Sequence, residues 1–183
     1  MKRLALIVLF AVLATVAQAQ GFYTLKTGSE AWWLRASFNP MHTEVRGIPV
    51  KSIRPNWCKA TEYTAELMKD LLAQEQAGQM MKEAKLAFAI EGQFDRSKAK
   101  QVAFTGVYQE CAGRKGAFLL IIDAGTNKVR FVDATPGEAQ FAAVGAAKRD
   151  IVFTTCLECD GGGVLRWNAK KKRFAWVPQR GRD

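Results

Sequence analysis

The chain has 183 residues, of which 49% are hydrophobic, and 27 lysines and arginines stand against 17 aspartates and glutamates, a formal net charge of +10. That length suffices for one domain with a sizeable core, and the mixed composition excludes a low-complexity chain. The positive balance favours solubility and anionic partners, and it is silent on fold.

The first nineteen residues have the parts of an export signal. Met1-Lys2-Arg3 supplies the charge, residues 4–16 are apolar, and Ala17-Gln18-Ala19 is a small-x-small cleavage site. Cleavage after Ala19 would leave Gln20 first. The apolar run is shorter than the roughly 20 residues that span a bilayer. No cysteine follows the cleavage point to carry a lipid anchor, and no later stretch is long and apolar enough to span. The expectation is an exported protein, periplasmic or secreted, with residues 20–183 as a single domain. Without Lys2 and Arg3 the 27 basic residues become 25 against 17 acidic ones, leaving +8. Outside the cytoplasm the anionic partners within reach are lipid headgroups, cell-wall polymers and acidic proteins rather than nucleic acid.

Residues 21–50 read as short strands. The stretches 22–25 and 31–38 are rich in aromatic and β-favouring residues, and Asn39-Pro40 interrupts them. Within a strand, adjacent Trp32 and Trp33 would face opposite sides, which puts one of them at the surface or against another layer. A long amphipathic helix is expected over about 57–77. Asn56 can cap it, and Ala60, Tyr63, Thr64, Leu67, Met68, Leu71 and Leu72 recur at three- and four-residue spacing. Gly78 would end it. From Leu86 onward short strands are expected at 86–92, 102–108, 118–123, 129–133 and 151–155. The apolar run 118–123 has the character of a strand buried on both faces. The alanine-rich stretch 138–148 reads as a short helix. Residues 164–167 and 173–177 flank Asn168-Ala-Lys-Lys-Lys172 and read as a hairpin. The fold class expected is α+β: a disulfide-stapled antiparallel β-meander with the long helix packed on one face.

The segment Phe88-Ala-Ile-Glu-Gly-Gln-Phe-Asp-Arg-Ser-Lys-Ala-Lys-Gln-Val-Ala-Phe-Thr-Gly-Val-Tyr108, with Gly116-Ala-Phe-Leu-Leu-Ile-Ile-Asp123 after it, resembles an FG-GAP or VCBS-type repeat. The resemblance implies a strand that leads into a calcium loop and then a second strand. Gly92, Phe94 and Asp95 keep that frame. The loop Arg96-Ser-Lys-Ala-Lys100 departs from it, being basic where calcium needs several oxygen ligands. The segment does not repeat, so a propeller is not implied. The expectation here is a strand–loop–strand unit without calcium.

Four cysteines, Cys58, Cys111, Cys156 and Cys159, favour two disulfides in an exported chain. Sequence alone allows three connectivities. The flexible Glu158-Cys-Asp-Gly-Gly run favours closure of Cys156 on Cys159, leaving Cys58 at the expected helix start to meet Cys111. Cys156-x-x-Cys159 also matches the spacing of a thiol–disulfide exchange site. Such a site needs a lowered thiol pKa, usually at a helix N-terminus. Here a strand precedes the motif, glycines follow it, and Glu158 and Asp160 disfavour a thiolate. Zinc would need four ligands at recurrent spacing, and no motif asks for another metal or a cofactor. His42, the sole histidine, has Glu44 two residues on, but nothing completes a triad. Asp160-Gly-Gly-Gly163 lacks the ending of a phosphate loop and reads as a turn.

The C-terminal stretch concentrates charge beside aromatic rings: Arg166, Lys170, Lys171, Lys172, Arg173, Arg180 and Arg182, with Trp167, Phe174 and Trp176 interleaved. Arg166, Trp167, Lys170, Lys171, Lys172, Arg173 and Trp176 therefore form a candidate surface for an anionic envelope polymer or an acidic protein. The competing reading puts the aromatics in the core and the turn lysines in solvent. The functional expectation is a non-enzymatic exported binding protein. The alternative is an envelope thiol–disulfide oxidoreductase using Cys156 and Cys159.

Overall fold

The computed structural model describes residues 21–138, 140–159 and 161–178. The expected leader, its cleavage point, Arg180 and Arg182 lie outside the described residues. The N-terminal part carries β1 (Tyr23–Leu25), α1 (Trp32–Arg35), β2 (Ala36–Phe38), β3 (Glu44–Val45), β4 (Ile48–Pro49), α2 (Val50–Ile53) and β5 (Trp57–Glu62). Two short helices follow, α3 (Lys69–Leu72) and α4 (Ala77–Glu83), then β6 (Leu86–Ala87) and β7 (Ala89–Gly92). The remainder is strand: β8 (Gln101–Glu110), β9 (Lys115–Asp123), β10 (Val129–Pro136), β11 (Ala143–Ala147), β12 (Asp150–Thr154), β13 (Gly162–Asn168) and β14 (Arg173–Trp176). All the pairings are antiparallel.

The strands form two five-stranded sheets. One runs β10-β9-β8-β5, with β7 also on β8, and the other runs β14-β13-β12-β11-β6. Strands β8 and β9 are apolar almost throughout and buried on both faces, as the run 118–123 led us to expect. On one face Ala103, Val107, Leu119 and Ile121 meet Val144, Ile151, Phe153, Leu165 and Phe174 of the second sheet. On the other face Phe104, Tyr108, Phe118 and Leu120 are covered by Val45, Ile48, Val50 and Ile53 from β3, β4 and α2. Successive β6 and β7 belong to different sheets, and β10 abuts β14. The two sheets thus close on each other along both sides.

The structure corrects the long helix expected over 57–77. Residues 57–62 form β5 instead, and helix is confined to the four residues of α3 and the seven of α4. The cause is tertiary. β7 pairs with only residues 101–104 of β8, so the backbone groups of residues 106–110 need another partner, and β5 supplies it. Trp57 stacks on Tyr108, with ring centroids 4.5 Å apart at 10°. Gly106 makes room for β5, since a Cβ there would run into the Thr61 carbonyl as well as the Phe118 ring. Asn56 caps nothing; its carbonyl accepts the Cys111 N–H at 2.9 Å. The apolar residues of the stripe still reach the core, because Tyr63, Met68 and Leu71 are buried in it.

Two smaller expectations also change. Trp32 and Trp33 sit in the single turn α1 and are both buried, at 5.8 Å from each other. Trp32 also meets Phe141 edge-to-face at 5.4 Å, and its buried indole N–H has no hydrogen-bond partner among the described residues. The alanine-rich stretch 138–148 gives β11, because the edge of β12 needs a partner. Gln140 is buried beside it. Its carbonyl accepts the Tyr63 hydroxyl at 2.6 Å, and its side chain accepts the Phe38 N–H at 2.7 Å.

Both disulfides form as the flexible-run argument favours. Cys58–Cys111 joins β5 to the turn after β8, strand to strand, with Cα atoms 4.9 Å apart. Cys156–Cys159 closes a short loop between β12 and β13. The sequence separations are 53 and 3. Chain entropy then assigns about 4 kcal/mol to the first and under about 2 kcal/mol to the second. Replacing Cys58 and Cys111 by alanine is therefore expected to lower Tm far more than replacing Cys156 and Cys159, as a thermal melt will show.

Candidate functional site

The hairpin β13–β14 sorts its residues by register. Leu165 pairs with Trp176, and Trp167 with Phe174, so these four share the inner face. Trp167 and Phe174 rings lie 5.1 Å apart, and Phe174 is buried. Arg166 points to the outer face, where its Nη2 donates to Asp150 Oδ2 at 2.6 Å. Lys170, Lys171 and Lys172 occupy the turn, and with Arg173 they are exposed. None of the four has a carboxylate within ion-pair distance among the described residues. The turn is defined by Asn168, whose Oδ1 accepts the Lys171 N–H at 2.9 Å. Lys172 adopts a left-handed φ of 47°. Trp176 lies at the opposite end of the hairpin, 37% exposed, its Nε1 donating to Asp133 Oδ2 at 3.1 Å. The seven residues grouped by the sequence thus divide. Arg166 is charge-paired, Trp167 packs on Phe174 within the hairpin and beside Arg130, Trp176 meets Phe131 of the other sheet, and the turn carries the unpaired charge.

Arg130, which anchors this end of the molecule, carries no local signal in the sequence. Its Nη1 donates to Asp123 at 3.0 Å and its Nη2 to Asp95 Oδ2 at 3.1 Å. Its guanidinium lies 5.5 Å from the centre of the Trp167 ring. One side chain therefore ties the β7–β8 loop, the end of β9 and the hairpin together. Asp95, the acidic residue of the segment compared with FG-GAP repeats, thus has a guanidinium beside it. Its side chain is 4% exposed. Burial pushes the Asp95 carboxyl up, but hydrogen bonds from Ser97 and the Arg130 charge outweigh this and hold it below the usual range. Gln101 completes the loop by accepting the Asp95 N–H at 3.2 Å and donating to Ala99 O at 2.9 Å.

The other candidates lie elsewhere. Cys156 is buried and Cys159 exposed, and the disulfide follows a strand with no helix beginning at it. Thr154 Oγ1 holds the loop, accepting the Cys156 N–H at 3.2 Å and donating to backbone oxygen across it. A cavity of about 250 Å³ beside it is lined by Asp133, Thr135, Phe153, Thr155, Gly162 and Trp176. A second of about 620 Å³ lies by Lys26, Arg114, Lys115 and Gln140. His42 pairs through its backbone with Ala60, and its side chain and that of Glu44 are exposed. Among the described residues no group of three or more His, Cys, Asp or Glu is placed to hold a metal ion. No described helix is long and apolar enough to cross a membrane.

No protein-family model, curated protein or solved structure matches this chain.

The Arg130 cluster gives a test of what positions the hairpin. Arg130→Ala strands the buried Asp95 carboxylate and is expected to cost about 3 kcal/mol, read from urea unfolding. Asp95 has a depressed folded pKa, so its contribution is complete above its unfolded value of about 3.9 and is lost as pH falls through the folded one. Asp95→Asn should therefore destabilise more at neutral pH than at pH about 2.5. An equal loss at both would refute the role given to this carboxylate.

Proposed function

We propose that this is an exported, non-enzymatic binding protein whose β13–β14 hairpin engages an anionic envelope component, a polymer or an acidic protein surface. The single observation that carries the reading is the hairpin turn: four consecutive cations, exposed and without a carboxylate partner, are presented on a rigid two-stranded arm. Next to the turn the arm is held by the Trp167–Phe174 contact and the Arg130 cluster. The leader-like N-terminus and two disulfides support export to an oxidising compartment. Retention on an envelope fraction is expected to fall as salt rises. Lys170→Ala/Lys171→Ala/Lys172→Ala is expected to lose most of it while melting like the parent. Lys172→Gly, which relieves the left-handed φ, should melt slightly higher while still binding less. Unchanged retention by the triple variant would overturn the proposal.

A second reading, thiol–disulfide exchange, draws on the exposure of Cys159 in the Cys156–Cys159 loop. Against it stand the absence of a helix start at the motif, which would stabilise a thiolate, and the neighbouring Glu158. Mild reduction followed by thiol labelling separates the two. The binding reading expects a disulfide that resists catalytic amounts of dithiol, whereas rapid labelling of Cys159 with turnover of a disulfide substrate would favour exchange.

A further inference from the structure

The antiparallel register places four turns at one end of the two sheets. Loop 93–100 leads into the start of β8, and the end of β9 pairs with that start, so turn 124–128 lies beside it. The contacts of Arg130 with Trp167 and of Phe131 with Phe174 bring the β13–β14 turn to the same end. The pairings of Ile151 with Leu165 and of Ala147 with Asp150 add the turn at 148–149. Each turn carries positive charge. Loop 93–100 presents Arg96 and Lys98, and turn 124–128 presents Lys128. The next presents Lys148 and Arg149, and the hairpin presents its three lysines and Arg173. All are exposed, and none has an ion-pair partner among the described residues.

The four acidic side chains in or beside these turns are neutralised internally. Glu91 pairs with Lys100 at 2.7 Å, Asp150 with Arg166 at 2.6 Å, and Asp95 and Asp123 share Arg130. On the four turns themselves, what faces outward among the described residues is cationic alone. Both disulfides and the cavities described above lie toward the other end. The exposed large apolar residues, Leu34, Met41 and Trp176, are on none of the four turns.

We infer that these four turns form one docking face for a flat anionic surface, the phosphate headgroups of a lipid bilayer. This rests on the hairpin being a binding element and extends it to three turns distant in sequence. The face spreads its cations over four separate turn tips rather than along one strand or groove, so a broad anionic surface meets more of them at once than a single polymer strand does. Six of its nine free cations are lysines, compact point charges that need no fixed partner geometry. It lacks an apolar or aromatic anchor, so adsorption is electrostatic, without insertion, and falls off over the Debye length, about 10 Å at 0.1 M salt.

The test uses the mature chain with sedimented vesicles, either phosphatidylcholine alone or equal parts phosphatidylcholine and phosphatidylglycerol, and with soluble polyphosphate at matched phosphate concentration. Binding is expected to the anionic vesicles only, with release in about 1 M salt. Lys98→Glu/Lys128→Glu, Arg149→Glu and Lys170→Glu/Lys171→Glu are each expected to weaken partitioning about tenfold or more. Each should melt with the parent; glutamine versions replace any that does not. Vesicle binding sensitive only to the hairpin pair would overturn the four-turn face and leave the hairpin reading standing. Polyphosphate held as tightly as vesicles would overturn the bilayer as partner. Loss of hairpin sensitivity in every assay would overturn both readings.

Discussion

The β8–β9 pair is the constraint on which the rest of the structure depends. Nine consecutive register positions join two strands whose side chains are apolar on both faces. Such a pair cannot leave either face in water. Burying a large aliphatic or aromatic side chain is worth about 1.5–3 kcal/mol, and each face carries several. One face recruits the second sheet, the other recruits β3, β4 and α2. The ladder edge of β8 recruits β5 and β7, each for half its length. The Cys58–Cys111 link fastens the β5 half, where the register shifts between Trp57 and Lys59.

That constraint explains what the sequence could and could not disclose. The run 118–123 announces itself, since five apolar residues in a row before Asp123 suit a strand buried on both faces. The hairpin at 164–177 was legible from two short apolar segments around a polar turn. The stretch 57–72 was not. Its apolar residues satisfy a helical spacing, but the same residues 57–62 also fit a strand, and the vacancy beside β8 decided between them. Nothing within twenty residues of Trp57 encodes that vacancy. Residues 138–148 failed for the same reason, local alanine content yielding to an unpaired neighbour. Of the candidate site, the turn lysines were legible as a charge run. Arg130 was not, because its partners Asp95, Asp123 and Trp167 meet only in three dimensions.

The charge arrangement has its own economy. Carboxylates near the cationic end are held by Lys100, Arg130 and Arg166, cations set in or beside the strands. Cations in the turns are left without partners. Exposed pairs of this kind contribute little, about 0–1 kcal/mol each. The buried Asp95 differs, because removing its cation leaves a desolvated charge. Segregation thus leaves stability almost unchanged while it removes every counter-charge that would weaken the outward field.

Backbone conformation at the same turns argues in the same direction. Arg96, Lys148 and Lys172 adopt left-handed φ angles of 64°, 60° and 47°. A side chain in that region costs about 1–2 kcal/mol relative to glycine. Asn127, in the fourth turn, uses a residue suited to it. Elsewhere among the described residues Arg46, Glu75, Gln76 and Lys85 share this conformation; the side chains of Arg46 and Glu75 are engaged internally, with Glu62 and with the Trp32 N–H, whereas Gln76 and Lys85 are not. Arg96, Lys148 and Lys172 have no such internal contact to offset the cost. Glycine or asparagine at these three positions would lower that cost. Under the proposed docking role the charges at these three turns act outside the molecule, where no internal contact is needed.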